Sequence, residues 1–203
     1  ALLNPGRDVK LAEDRVKGYK SFTNKIWNAA NFLNINQVIF IDSLDNKKIS
    51  LDTSKWILKE YQNVQAEYFK NIEKYQFHEI ASLIYHFTWH TFCDWYIEFI
   101  KSDFANDEKS EETKKVSGWI FIQILKLLHP IMPFITEKLW LSLVDSQSFL
   151  MSQNFTEISF DNSFNDSNKY TKKVIEMMTA LRNLRANLNI SYKNEIEIFV
   201  DTR

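Results

Sequence analysis

Three side chains with metal-binding chemistry recur at four-residue intervals in this chain: His86, His90 and Asp94, with Cys93 adjacent. On a helix that spacing puts all three on one face, as a zinc site needs. The surroundings argue otherwise. No Glu follows His86 to complete a metalloprotease pattern, no Glu-x-x-His pair suits a di-iron bundle, and the neighbours are aromatic. Imidazoles hydrogen-bonded among packed rings are the simpler reading, and no metal ligand is assigned. Catalytic signals are equally sparse. The sequence has no glycine loop to cradle a phosphate, no Gly-flanked Ser nucleophile and no Cys with an evident base. A self-contained active site is not expected, and the fragment is read as non-catalytic.

A second constellation is better formed. On a helical wheel with Phe22 at 0°, the apolar residues Phe22, Ile26, Ala29 and Leu33 centre near about 10°. Ser21, Lys25, Asn28 and Phe32 form another stripe roughly 100° around the same helix. A cation, an amide and an aromatic ring on an exposed edge can stack on a splayed base, bond its edge and neutralise a phosphate. The plainer alternative is that Phe32 covers the end of a bundle and Lys25 is a solvated charge.

These residues need helices to hold them, and the composition supplies helices. Three Gly and three Pro in 203 residues compare with about fourteen and ten at average usage. Tight turns between strands call on glycine, so the scarcity favours long helices and an all-α, antiparallel bundle. Apolar spacing places helices at about 10–33, 54–74, 77–101, 111–129, 133–144 and 170–188. The third and fourth are apolar nearly all round and should form the centre. Residues 103–112 read as an acidic loop. Pro130 must break the fourth helix, and Pro133 suits the first turn of the next. Residues 147–169 read as an extended loop. Ile196, Ile198 and Val200 alternate as one strand, which makes 170–203 a helix-and-strand junction.

Charge is unevenly spread along the chain. Residues 7–25 carry six positive and three negative side chains, 171–193 carry five and one, and 94–112 carry two and seven. Two basic ends on a neutral whole suit local contact with a polyanion, with solvated helix faces as the alternative. One Cys excludes a disulfide framework, and no apolar run is long enough to cross a membrane. The opening residues lack a start Met and an apolar leader, which reads as a piece of a longer chain.

Five segments in order resemble the valyl-tRNA synthetase family: Asn4-Pro-Gly-Arg-Asp-Val-Lys-Leu11, Phe22-Thr-Asn-Lys-Ile-Trp-Asn-Ala-Ala-Asn-Phe32, Phe92-Cys-Asp-Trp-Tyr-Ile-Glu-Phe-Ile-Lys101, His129-Pro-Ile-Met-Pro-Phe-Ile-Thr-Glu-Lys-Leu-Trp140 and Leu181-Arg-Asn-Leu-Arg-Ala-Asn-Leu-Asn-Ile190. Isoleucyl- and leucyl-tRNA synthetases share the proline break, but the Phe-Cys-Asp-Trp-Tyr run fits the valine enzymes better. Between Phe149 and Asp161 the sequence departs from the Pro-rich stretch usual there. The resemblance implies a linker from a catalytic domain at 1–9, an anticodon-binding bundle at 10–146 and a C-terminal junction. It implies a parent ligase that charges tRNA(Val) with valine, using ATP and Mg at sites outside these residues. Lys25 and Phe32 match family positions that read the anticodon; Asn28 is added from the wheel. Ser21, Lys17, Arg182 and Arg185 are candidates for further tRNA contacts. The expected partners are tRNA(Val) and the catalytic domain of the same chain, in a cytoplasmic monomer. Two other functions compete: a helical protein-interaction module exposing Trp56 or Tyr61, and a small enzyme around His86 and His90.

Overall fold

In a computed structural model, residues 13–145, 147–155, 158–160, 164–191, 193–195, 197 and 199 are described. Seven α-helical stretches follow one another: α1 (Glu13–Ile35), α2 (Asp52–Glu73), α3 (Phe77–His86), α4 (Ile97–Ile100), α5 (Asp107–Leu128), α6 (Pro133–Leu143) and α7 (Phe164–Asn187). No strand occurs among the described residues. The expected strand at Ile196, Ile198 and Val200 falls on residues outside that set.

α5 is the axis of the bundle. Fourteen of its 22 residues are buried, including Trp119, Ile120, Phe121, Ile124 and Leu125. α1 buries the stripe its wheel foretold: Phe22, Ile26, Ala29, Ala30 and Leu33 are all at or below 5% exposure. α2 turns Trp56, Ile57, Tyr61, Val64 and Tyr68 inward. This corrects the expectation that Trp56 or Tyr61 forms a docking surface, because both are 2% exposed or less. Ile57, Tyr61, Val64 and Tyr68 keep the three-and-four spacing of one helical face with Trp56 beside them, and the rings join the core. The Tyr61 hydroxyl donates to Gln123 Oε1 at 3.3 Å, which satisfies the polar tip.

The helix spanning residues 77–100 is continuous but not uniform. Between α3 and α4, Phe87–Tyr96 winds as a π-helix with i→i+5 bonding. Phe87, Phe92 and Tyr96 point into the core, while Trp89, His90, Asp94 and Trp95 remain at least partly exposed. This third helix runs parallel to α1: Phe22 meets Tyr85 and Trp89, Lys25 meets Asp94, and Phe32 meets Phe104. Alternate members of an up-and-down bundle have that relation.

Two boundaries differ from the sequence reading. α5 begins at Asp107 within the expected acidic loop, because the Asn106 side chain accepts from Glu108 N at 3.1 Å and Lys109 N at 3.3 Å. Asp107 and Glu108 then favour the positive end of the helix. α7 begins at Phe164, inside the expected extended loop. It is tied to α2 by Ser167 Oγ donating to Asp52 at 2.7 Å and Asn168 Nδ2 donating to Glu60 at 2.7 Å.

With so little glycine, the helices stop by another means. Gln37, Tyr75 and Asn189 take φ of 56°, 54° and 53° just past α1, α2 and α7. In each case the following amide returns to a carbonyl five residues back, as Val38 N does to Leu33 O at 3.1 Å. These are left-handed C-caps without glycine. Between α5 and α6, Pro130 breaks the helix as expected, and His129 Nδ1 bridges to Thr136 Oγ1 at 2.9 Å across the turn.

Candidate nucleic-acid interface

The second stripe of α1 lies at the seam between α1 and the third helix. Lys25 Nζ donates to Asp94 Oδ1 at 2.7 Å, with about a third of each side chain exposed. The other oxygen of Asp94 lies 3.1 Å from His90 Nδ1. An ionised carboxylate only accepts, so the imidazole presents its N–H there. The Lys25 ammonium also lies 5.4 Å from the centre of the Trp89 ring, within cation–π range. Trp89 is itself stacked on Phe22 from the core side. The cation is therefore held by an indole face and a carboxylate, and it is not the freely solvated charge of the plainer reading.

Seven residues on, about 10 Å along the helix, Phe32 is half-buried. Its ring meets Phe104 edge-on at 5.8 Å between centroids. Phe104 lies in a short 3₁₀ turn, Asp103–Ala105, in which Asp103 is buried. Burial raises the Asp103 carboxyl above its usual range, with Lys109 opposing. Asn28 is exposed between Lys25 and Phe32. Ser21 is exposed, but its hydroxyl turns back to the Lys17 carbonyl at 3.2 Å. Lys17 is exposed one turn further out.

The two arginines lie elsewhere. Arg182 on α7 covers the Trp95 ring at 4.7 Å, on the third helix but through a different residue from the one that holds Lys25. Arg185 donates to Ser191 O and Asn194 O, both at 2.9 Å, and so closes the turn after α7. Ser21, Lys25, Asn28 and Phe32 thus share one edge, whereas Arg182 and Arg185 are engaged with neighbouring parts of the fold.

Sequence reasoning placed Asp94 and His90 in a possible metal set and missed Asp94 as the partner of Lys25. The two residues are 69 positions apart, and nothing in one sequence couples them. The i, i+4 spacing of His90 and Asp94 was the only usable signal. Phe104 was missed because it lies in an acidic stretch. Among the described residues no three His, Cys, Asp or Glu side chains gather as metal ligands. Cys93 is buried away from water, which pushes its thiol up to about 12 and removes it as a nucleophile at neutral pH. Around the two imidazoles of that set, the His86 and His90 rings pack on one another at 5.4 Å between centroids, and His90 pairs with Asp94. What the edge offers is a half-buried aromatic face, an exposed amide and a held ammonium.

Comparison with known proteins identifies the family. The family described as anticodon-binding domain of tRNA ligase matches residues 54–200, from the first turn of α2 onward. The chain is similar to the valine--tRNA ligase of Pelagibacter ubique, 41% identical over 210 residues covering all of this chain, α1 included, and 23% of that protein. It is 36% identical to the valine--tRNA ligase of Syntrophotalea carbinolica, over 98% of this chain and 23% of that protein. It is also 36% identical to the valine--tRNA ligase of Geobacter sulfurreducens, over 94% of this chain and 22% of that protein. The chain thus spans about a quarter of the length of the relatives it matches. With a helix bundle of this kind and a family match over most of its length, the chain belongs to the anticodon-binding domains of tRNA ligases.

Proposed function

We propose that this chain is the anticodon-reading bundle of a valine--tRNA ligase, a longer cytoplasmic, monomeric polypeptide that activates valine with ATP and esterifies tRNA(Val). The observation that carries the reading is the Lys25–Asn28–Phe32 edge, three side chains of suitable chemistry in one row on a rigid helix. The anticodon loop opens against α1, Phe32 stacks on an unstacked base, and Asn28 and Lys25 contact the bases beside it. Lys17 and Ser21 continue the row toward the backbone of the RNA, while Arg182 and Arg185 serve as outlying contacts. In this reading ATP and Mg act in the catalytic domain of the parent chain.

The test is a filter-binding titration against the anticodon stem-loop of a valine tRNA and a copy with one anticodon base replaced. Base–aromatic stacking contributes roughly 1–3 kcal/mol, so Phe32→Ala should weaken binding by about 5- to 150-fold. Phe104→Ala, which removes the supporting ring, should weaken it less. Equal binding of the two stem-loops by the unaltered protein would defeat the reading.

A further inference from the structure

An ammonium beside RNA has two possible targets, a phosphate oxygen or an acceptor on a base edge, and the surroundings of Lys25 discriminate between them. Its charge is matched at 2.7 Å by Asp94. Asp94 is itself supported from the far side by His90 at 3.1 Å, so the carboxylate cannot swing away without losing a second hydrogen bond. The Trp89 ring closes another side of the ammonium. Of the three N–H donors of Lys25, one is committed to Asp94 and one side faces the indole, while about a third of the side chain stays open to solvent.

A phosphate approaching from that open side meets a pair of zero net charge with a carboxylate within a few ångströms, and like charges at that range repel. A neutral carbonyl or ring nitrogen on a base meets no such repulsion and still receives a charge-assisted donor. We infer that Asp94 is a specificity-determining residue: it cancels the attraction of Lys25 for the RNA backbone and leaves Lys25 as a reader of a neutral base edge. This inference rests on the anticodon reading above and deepens it. His90 is then a positioning residue that acts through Asp94.

The experiment measures the salt dependence of binding to the same two stem-loops for the unaltered protein, Lys25→Ala, Asp94→Asn and His90→Ala. A single phosphate contact to single-stranded RNA contributes about 0.7 to the slope of log K against log salt. Lys25→Ala should reduce discrimination between the stem-loops about tenfold, the size of one well-placed base contact. Asp94→Asn keeps the shape and an acceptor but uncovers the charge, so its slope should steepen by about 0.7 while discrimination falls. His90→Ala should move both readouts in the same direction as Asp94→Asn, by less.

A slope that flattens by about 0.7 in Lys25→Ala with discrimination intact would make Lys25 a phosphate clamp and overturn the inference. So would an Asp94→Asn protein that matches the unaltered protein in both readouts. Lys25→Ala decides the matter even if Asp94→Asn fails to fold, since thermal melts identify such a failure separately. Equal affinity of the unaltered protein for the two stem-loops would be the distinct failure of the anticodon reading itself.

Discussion

Two glycines sit within helices of this bundle, and the same substitution at each should act in opposite directions. Gly118 lies in the buried stretch of α5, where the segment leaving α1 crosses it. A Cβ there would overlap the Ile39 carbonyl oxygen, lie 2.7 Å from its carbon and 3.1 Å from Phe40 Cα, where ordinary contact begins at 3.4 Å. All three neighbours are backbone atoms and cannot rotate aside. Helix propensity favours Ala over Gly by about 1 kcal/mol. Overpacking a tight core costs typically about 1–3 kcal/mol, and a backbone clash belongs at the upper end. Steric cost wins, and Gly118→Ala should be destabilised by about 1–2 kcal/mol, lowering Tm by roughly 2–8 °C for a chain of this size. Gly18 in α1 has nothing within 4 Å of the place a Cβ would occupy. Only the propensity acts there, and Gly18→Ala should raise Tm by about 2–4 °C. Differential scanning calorimetry on the pair is the assay. A Gly118→Ala protein as stable as Gly18→Ala would refute the claim that a close backbone crossing dictates glycine at 118.

Other outcomes follow from groups buried elsewhere. Cys93 should resist alkylation at pH 8 until the chain unfolds, because burial holds its thiol near 12 against an ordinary 9.0; rapid labelling in native buffer would contradict this. The native state keeps that proton while the unfolded chain gives it up, so stability should fall as pH rises from about 9 to about 12. Burial of the Tyr61 and Tyr96 phenols acts in the same direction. Lys126 on α5 is 3% exposed and donates to Asp42 at 2.6 Å and to Asn154 O at 3.3 Å. Asp42→Ala strands that ammonium and should cost about 1–3 kcal/mol in urea denaturation. Lys126→Met removes the buried charge itself and should cost less; the reverse order would show that the lysine's bonds stabilise the fold by more than burying its charge costs.

How much of this was readable from sequence depended on how local the determinant is. The core face of α1 needed only the three-and-four spacing of Phe22, Ile26, Ala29 and Leu33, and the structure buries all four. Pro130 and Pro133 marked their boundary because ring geometry acts on the adjacent turn. The start of α5 was misread since Asp107 and Glu108 look solvated in isolation, and only the Asn106 cap converts them into the first turn. The π-helical stretch left no trace in the pattern: with apolar residues on most faces, a change of pitch moves one large side chain into the place of another. Phe32 was expected to project into solvent, and its half-burial against Phe104 depends on a turn 72 positions away. The pairing of Lys25 with Asp94 is hidden for the same reason.

The parallel course of α1 and the third helix has a consequence in length. From Phe22 to Phe32, α1 advances ten residues, while the chain opposite advances from Tyr85 to Phe104, nearly twice as many. Wider winding and the turn that follows crowd that many side chains beside one short ruler. Lys25 has two neighbours across the seam, Trp89 and Asp94, and Phe32 has Phe104, so amino-acid changes among residues 89–104 can retune the flank of Lys25 or Phe32 while the interior rows stay as they are. Variation in what this surface prefers has a second strip of sequence in which to accumulate.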